Sequence, residues 1–333
     1  MSSLTSNDWK TILKFDTKLY ADIVEFCPFP QHQDLVCIGT YQLNEETKQR
    51  EGGIYLFSTS QAKPCFFLSG VGALDLKFSS NRTQQIGVAQ AGGGLALLQL
   101  VSNDSGKQTL KRQECLNKKH SSCSELIALS CDWSVGPLGK VNEVENERVA
   151  VSYTDGELCI FENNVDGETK QLQQWKAHDY ESWIVAFDRH NRDVLFSGSD
   201  DCMLKGWDLR CSTAAPIFRK RFSMGVTTIQ SNPHRSNQII VGSYDESIRL
   251  FDQRSTKTPL KSVESGGGVW RLKWHPTKRS KILAACMRGG FHVIDNDDAK
   301  AMSIYASYEG PHDISKLAYG ADWSYTSTNM IGT

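Results

Sequence analysis

Short apolar runs recur along this chain in groups of three, with polar turns between them. In the first group the runs are Tyr20 to Phe26, Leu35 to Thr40 and Gly52 to Phe57, and the charged stretch Asn44 to Glu51 stands between the last two as a solvated hairpin tip. A second group repeats the scheme at Gly72 to Phe78, Ile86 to Gln90 and Gly94 to Leu98. Runs this short, rich in Val, Ile, Phe and Tyr and bounded by Gly, Asn, Asp and Ser, predict strands joined by tight turns. Clearer groups follow at 126–162, 172–210, 222–254 and 265–295, and the polar tract 101–124 reads as an outer loop or surface hairpin. The groups end on Phe57, Leu98, Phe161, Trp207, Phe251 and Ile294, the last four about 44 residues apart, as in a repeat array.

The stretch AHDYESWIVAFDRHNRDVLFSGSDDCMLKGWDLR, residues 177–210, shows the unit most completely. It opens on Ala-His, carries three runs with a Ser-Asp-Asp turn before the third, and closes on Trp-Asp. This phrase resembles a WD40 repeat, which implies one four-stranded blade of a β-propeller. Asp155, Asp201 and Asp245 each lie six residues before their closing position, and that shared offset is more specific than one Trp-Asp pair. The resemblance also implies a structural tetrad of His178, Ser197 or Ser199, Asp201 and Trp207, because a buried indole N–H needs an acceptor. A seventh unit begins at Ile314; its AYGADWS echoes SCDWS at 130–134, and Thr333 falls where a third strand is due. The expectation is one all-β domain over residues 1–333. It is a WD40-type seven-bladed β-propeller whose last blade, 312–333, is incomplete at the C-terminus and closed by a strand at 11–16.

Composition narrows the partners. Charged residues make up 23% of the chain and the net charge is -1, which gives no electrostatic reason to expect nucleic acid or an anionic membrane. No apolar run is long enough to span a membrane, and MSSLTSNDWK lacks the basic and apolar regions of a secretory leader. Ten cysteines contain no CxxC, and Cys27, Cys37, Cys131, Cys159 and Cys286 lie inside apolar runs as small hydrophobes. Reduced thiols, no metal and a cytoplasmic monomer are expected. AGGGLALL could suggest a phosphate loop, but such a loop needs a helix N-terminus after it, so no cofactor is expected.

Beyond the fold, AHxxESWIxAFD, SGSDDxxLKGWDxR, GVTTIQSNPHR, GSYDESIRLFDQR, GGGVWRLKWHP, AACMRGGFHVID and LAYGADWS follow in that order. Together they resemble the diphthine methyl-ester hydrolases (diphthine methylesterases), the WD-repeat enzymes of diphthamide biosynthesis. The similarity is good over residues 125–333 and looser before them. It departs from the family at Phe251, where Trp is common, and in stopping short of a final Trp-containing strand. It implies hydrolysis of the methyl ester of methylated diphthine on elongation factor 2, freeing a carboxylate for amidation. A non-catalytic scaffold for elongation factor 2 or another protein is the alternative. A ubiquitin-ligase adaptor is a form of it, with the WDxR and FDxR phrases at Trp207–Arg210 and Phe251–Arg254 in its favour. Neither GxSxG nor HExxH occurs, so no nucleophile follows from motif.

Aligning the first runs equates Asp22, Leu74, Leu129, Trp183, Thr227, Trp270 and Tyr319, a position that in WD40 proteins faces one mouth of the central channel. The residues before the turn aspartates, Thr154, Asp200, Tyr244 and by offset Met287, face the same mouth. Trp183, Tyr244, Trp270 and Tyr319 are the candidate substrate-binding residues. The substrate implied by the resemblance carries a trimethylammonium, which donates no hydrogen bond. Aromatic faces hold such a group at ~0.5–2 kcal/mol per contact. Glu181, Asp200 and His312 are the candidate catalytic residues. The same aromatics also suit a plain protein-binding face, and His312 suits a structural tetrad.

Overall fold

The predicted runs are strands, and a fourth, less buried strand follows each group of three. A computed structural model describes residues 9–61, 63–79, 84–104, 106–118, 126–134, 146–164, 168–308, 317–327 and 329–333. Blade one comprises β1 (Tyr20–Phe26), β2 (Leu35–Leu43), β3 (Arg50–Ser58) and β4 (Phe66–Val71). Blade two has β5 (Ala73–Phe78), β6 (Gln85–Gln90), β7 (Gly94–Ser102) and β8 (Gln108–Asn117), and blade three β9 (Ala128–Trp133), β10 (Glu147–Tyr153), β11 (Glu157–Asn163) and β12 (Thr169–Lys176). Blade four follows with β13 (Ser182–Asp188), β14 (Asn191–Ser199), β15 (Met203–Asp208) and β16 (Phe218–Arg221). Blade five holds β17 (Val226–Ser231), β18 (Gln238–Ser243), β19 (Ser247–Asp252) and β20 (Lys261–Glu264). Blade six holds β21 (Arg271–Trp274), β22 (Lys281–Ala285), β23 (Phe291–Asp295) and β24 (Ser303–Tyr308). Each is a four-stranded antiparallel meander in chain order, and the first strands of successive blades lie side by side around the axis.

The chain is an all-β WD40 propeller, and among the described residues it has six four-stranded blades, not the seven expected. After blade six the described residues form only a two-stranded sheet, β25 (Asp322–Trp323) with β26 (Ile331–Gly332). No strand forms at 11–16 to extend it. Instead Phe15 packs edge-on to Phe57 of blade one at 5.0 Å, and Ile12 stays 70% exposed. The physical reason lies at the turn before β1. There Asp16 accepts the Lys18 N–H at 2.9 Å and Lys18 takes φ 66°, which commits the chain to blade one.

Apolar side chains from neighbouring blades interlock between the sheets. Ile23, Cys37 and Leu56 of blade one share a cluster with Leu76, Val88 and Leu98 of blade two. Blade four holds the expected tetrad, with Ser197 rather than Ser199 as the serine. His178 meets Asp201 at 2.8 Å and Ser197 at 2.7 Å, and the Trp207 indole donates to Ser197 at 2.9 Å. The aspartates at the same offset keep this role with other donors, Ser223 to Asp245 at 2.7 Å and Lys118 to Asp155. Each donor precedes its own blade, so the aspartate pins the incoming connection to the turn.

Candidate functional site

In blades one to five the first strand carries one residue more than its partner. The register skips at Asp22 in β1, Leu74 in β5, Leu129 in β9, Trp183 in β13 and Thr227 in β17. These are the residues equated in sequence as facing the channel mouth. A bulge leaves its extra residue outside the ladder and re-aims its side chain. Trp270 stands just before β21, and Tyr319 follows Ala318, which pairs with Met287 of blade six.

At this mouth the structure brings the four predicted aromatics together around Trp270. Its ring centroid lies 4.8 Å from Tyr319, 5.6 Å from Trp183 and 6.3 Å from Tyr244. Trp183 also packs against an apolar cluster containing Leu129 and Leu74, so one side of the opening is aliphatic. Gly225 makes the arrangement possible, because a Cβ there would lie 2.5 Å from Asp200 Oδ1 and 3.1 Å from the Tyr244 ring.

Of the predicted catalytic residues, Asp200 is engaged structurally. Its Oδ1 accepts the Trp183 indole N–H at 2.7 Å, which fixes the orientation of that ring. Burial pushes its carboxyl above the ordinary value, the indole bond opposes this, and Glu181 and Asp201 add to the rise. Burial likewise raises the Tyr244 hydroxyl, with Asp200, Tyr319 and Glu181 contributing. Glu181 stands at the rim, its backbone carbonyl accepting the Asp200 N–H at 3.1 Å. His312 lies outside the described residues.

Sequence reasoning missed the charged interior below the mouth. Three residues beyond each mouth position stand Glu25, Lys77, Asp132, Ala186, Gln230, Lys273 and Asp322. Glu25 accepts hydrogen bonds from Lys77 at 2.8 Å and from Lys273, and Lys273 lies 3.8 Å from Asp322. Asp75 takes Lys77 at 2.5 Å, the Ser130 hydroxyl at 2.7 Å and the Cys131 N–H at 3.2 Å. Burial alone would raise the carboxyl of Asp75, yet Lys77 and Arg271 hold it down at about 2. Below this ring a cavity of about 100 Å³ opens, lined by Glu25, Lys77, Asp132, Arg189, Lys273 and Asp322 among others. The signal was present as charges inside apolar runs, in VEF, LDLKF, CDW and RLKW. Such residues are rarely buried unless paired.

Two charged residues sit between the aromatic mouth and this network. Asp22 is 7% exposed, and burial pushes its carboxyl up to about 7, with Arg271 opposing and Asp75 assisting. Arg271 is 5% exposed and places Nη1 3.6 Å from Asp75.

Comparisons with known proteins bear on the fold and the family. The family described as "WD domain, G-beta repeat" matches residues 169–208. A Dictyostelium discoideum protein named diphthine methyltransferase homolog is 33% identical, the match covering 93% of this chain and 91% of that protein. A Mus musculus protein named diphthine methyltransferase is 36% identical over 96% of this chain and 70% of its own length. Among solved structures, Chaetomium thermophilum Sqt1 bound to the N-terminus of the ribosomal protein L10 superposes with a TM-score of 0.65. That match covers 94% of this chain and 80% of that one at 15% identity, a likeness of fold alone.

Proposed function

Because the chain belongs to the family of proteins named diphthine methyltransferase, we propose that it acts in diphthamide biosynthesis by hydrolysing the methyl ester of methylated diphthine on elongation factor 2. The observation that carries this reading is the cluster of Trp183, Tyr244, Trp270 and Tyr319 around one channel mouth, with carboxylates beside it. A trimethylammonium in such a mouth gains attraction from each ring face and from each negative charge it meets. Its ester lies a few bonds away and enters the channel, where charged groups are shielded from water and act more strongly.

The relatives' names speak of methyl transfer, whereas this reading is hydrolysis. Hydrolysis needs only water, a base and a donor for the carbonyl oxygen, and the mouth supplies both kinds of group. The glycine-rich AGGGLALL, which could have suggested a nucleotide-type cofactor, lies at the turn between β6 and β7 with Gly93 at φ 79°. Tyr180 and Met224, 62% and 50% exposed and adjacent in sequence to Glu181 and Gly225, fit a surface covered when the factor docks. The nine described cysteines are free thiols, in keeping with the cytoplasm as the compartment this reading assigns.

The test is to mix the purified chain with elongation factor 2 bearing the esterified intermediate and assay methanol. Methanol released in proportion to ester consumed is the expected result. Tight binding without methanol favours the scaffold reading, which uses the same surface.

A further inference from the structure

Around the bulged ring one position alone carries an ionisable carboxylate, Asp22 of β1. The residue is 7% exposed, and its carboxylate is acted on by burial and by the charges of Arg271 and Asp75. Arg271 follows Trp270 and reaches from blade six to Asp75 of blade two, so its guanidinium spans the channel past the seventh unit and blade one. The 3.6 Å between Arg271 Nη1 and Asp75 is an ionic approach, too long for a good hydrogen bond. Among the described residues Arg271 Nε has no partner, nor has Trp270 Nε1.

Buried charges without hydrogen bonds are costly, and folds ordinarily satisfy them. The network just below does so: Lys77 donates to both Glu25 and Asp75, and Lys273 donates to Glu25. Stability therefore accounts for the lower network and not for the upper groups. Asp22 and Arg271 thus place an acceptor and an unspent donor beside the unpartnered indole N–H of Trp270, the central ring of the aromatic cage.

We propose that Asp22 is the general base of the ester hydrolysis, and that Arg271 with the Trp270 indole N–H holds the ester carbonyl oxygen. The assignment rests on the hydrolase reading and names its site. The Asp22 carboxylate removes a proton from water while the water oxygen bonds to the ester carbon. The carbonyl π pair moves onto oxygen, where the Arg271 guanidinium and the indole N–H stabilise the developing charge. As that pair returns, the C–O bond to methoxide breaks, and the Asp22 carboxylic acid gives its proton to the departing oxygen as methanol. Ester and water become carboxylic acid and methanol, with Asp22 restored.

The groups facing Asp22 are Arg271 from β21, Asp75 from β5 and Tyr319 from the seventh unit. Burial disfavours its charged form, Arg271 favours it and Asp75 disfavours it, leaving the carboxyl near 7, where a base works best at neutral pH. Asp200 is committed to the Trp183 indole, and Glu181 sits at the rim.

The experiment compares parental protein, Asp22→Asn, Asp22→Glu and Arg271→Lys on esterified elongation factor 2, from about pH 5 to about pH 9. Circular dichroism establishes folding and calorimetry follows binding. Asp22→Asn is expected to lose about 10²–10⁴-fold in kcat while still binding the esterified factor. Parental kcat/KM should fall as pH drops through about 7, and Asp22→Glu should move that midpoint. Arg271→Lys should lower kcat about 10²-fold with a smaller change in KM. A parental protein that releases no methanol overturns the hydrolase reading itself. Parental activity with an unchanged rate and pH profile in folded Asp22→Asn overturns the assignment alone. If Asp22→Asn does not fold, an unmoved midpoint in Asp22→Glu overturns it equally.

Discussion

The backbone N–H of Phe26 donates to the carboxylate of Asp322 at 2.8 Å, joining the end of the chain to blade one. Phe187 of blade four makes the same bond to Asp132 of blade three at 2.8 Å. Trp323 and Trp133 match as well: each indole N–H donates at 3.0 Å to a lysine carbonyl of the preceding blade, Lys273 and Lys77. A two-residue strand thus reproduces both connections that the first strand of a full blade makes. The ring closes through its inner strands, without the outer strands of a seventh blade among the described residues.

Asp322→Ala leaves the buried Phe26 N–H without its acceptor and takes a carboxylate from beside Lys273. A loss of about 1–3 kcal/mol is expected, read as a lower urea midpoint. Asp132→Ala should show a comparable loss. A midpoint unchanged in Asp322→Ala but lowered in Asp132→Ala would mean that the short sheet does not hold the ring closed.

In blade four, Trp207→Ala is expected to cost about 3–5 kcal/mol and Asp201→Ala about 1–3 kcal/mol. The contribution of the His178–Asp201 pair to stability should fall on acidification. Burial holds His178 below its ordinary 6.5 despite Asp201, so as pH drops the unfolded chain takes up a proton that the folded one resists. Burial would raise Asp201, but the His178 bond outweighs it and holds it below 3.8, so this contribution too disappears with acid, at lower pH. Melting temperature against pH, read as the difference between the parental chain and His178→Gln so that other titrating groups cancel, tests the histidine: the parental advantage should begin to shrink as pH falls below 6.5. A difference that stays constant there would contradict the buried neutral histidine.

Much of this was legible in the chain. Inner strands bury both faces and read as continuous apolar runs, so β1 and β5 were found within a residue, and the bulges of the first strands kept the alignment of mouth residues intact. Outer strands such as β16 and β20 alternate half-buried and exposed side chains, and FRKR or KSVE carries little apolar signal. The blade count was misread because AYGADWS has the local chemistry of an inner strand, and nothing local says that only two paired residues will follow. The roles of Asp22 and Arg271 were hidden because each depends on partners from other blades. Asp200 lies beside Trp183 as the alignment of repeats expected, but the hydrogen bond between them joins residues 17 positions apart and has no local signal in the chain.

Gly225→Ala should disturb the mouth without touching the core, since the new methyl would meet Asp200 Oδ1 at 2.5 Å. Displacing Asp200 frees the Trp183 indole, so tryptophan fluorescence should change and affinity for the trimethylated factor should fall about 3–10-fold. Asp200→Asn keeps an acceptor for the indole and should weaken binding less than Asp200→Ala. Equal affinity in all three variants would separate Asp200 from the aromatic cage.

Asp22→Asn should stabilise the folded chain at alkaline pH. With the folded carboxyl at about 7 against an ordinary 3.8, the folded state resists ionisation, and the parental protein forfeits stability as pH rises between these values. The amide removes that penalty, by at most about 4 kcal/mol above pH 7 and by little near pH 4. A variant less stable than the parent at both pH values would show that Asp22 serves the fold.

The most direct test is the intact mass of elongation factor 2 carrying the esterified intermediate, before and after incubation with the purified chain. Hydrolysis at the aromatic mouth predicts a loss equal to one CH2, the exchange of an ester methyl for a hydrogen. Replacing Trp270 by Leu should slow that loss, while the unmodified factor keeps its mass throughout. A mass that stays constant, or that rises by the same increment through methyl transfer, would contradict the account.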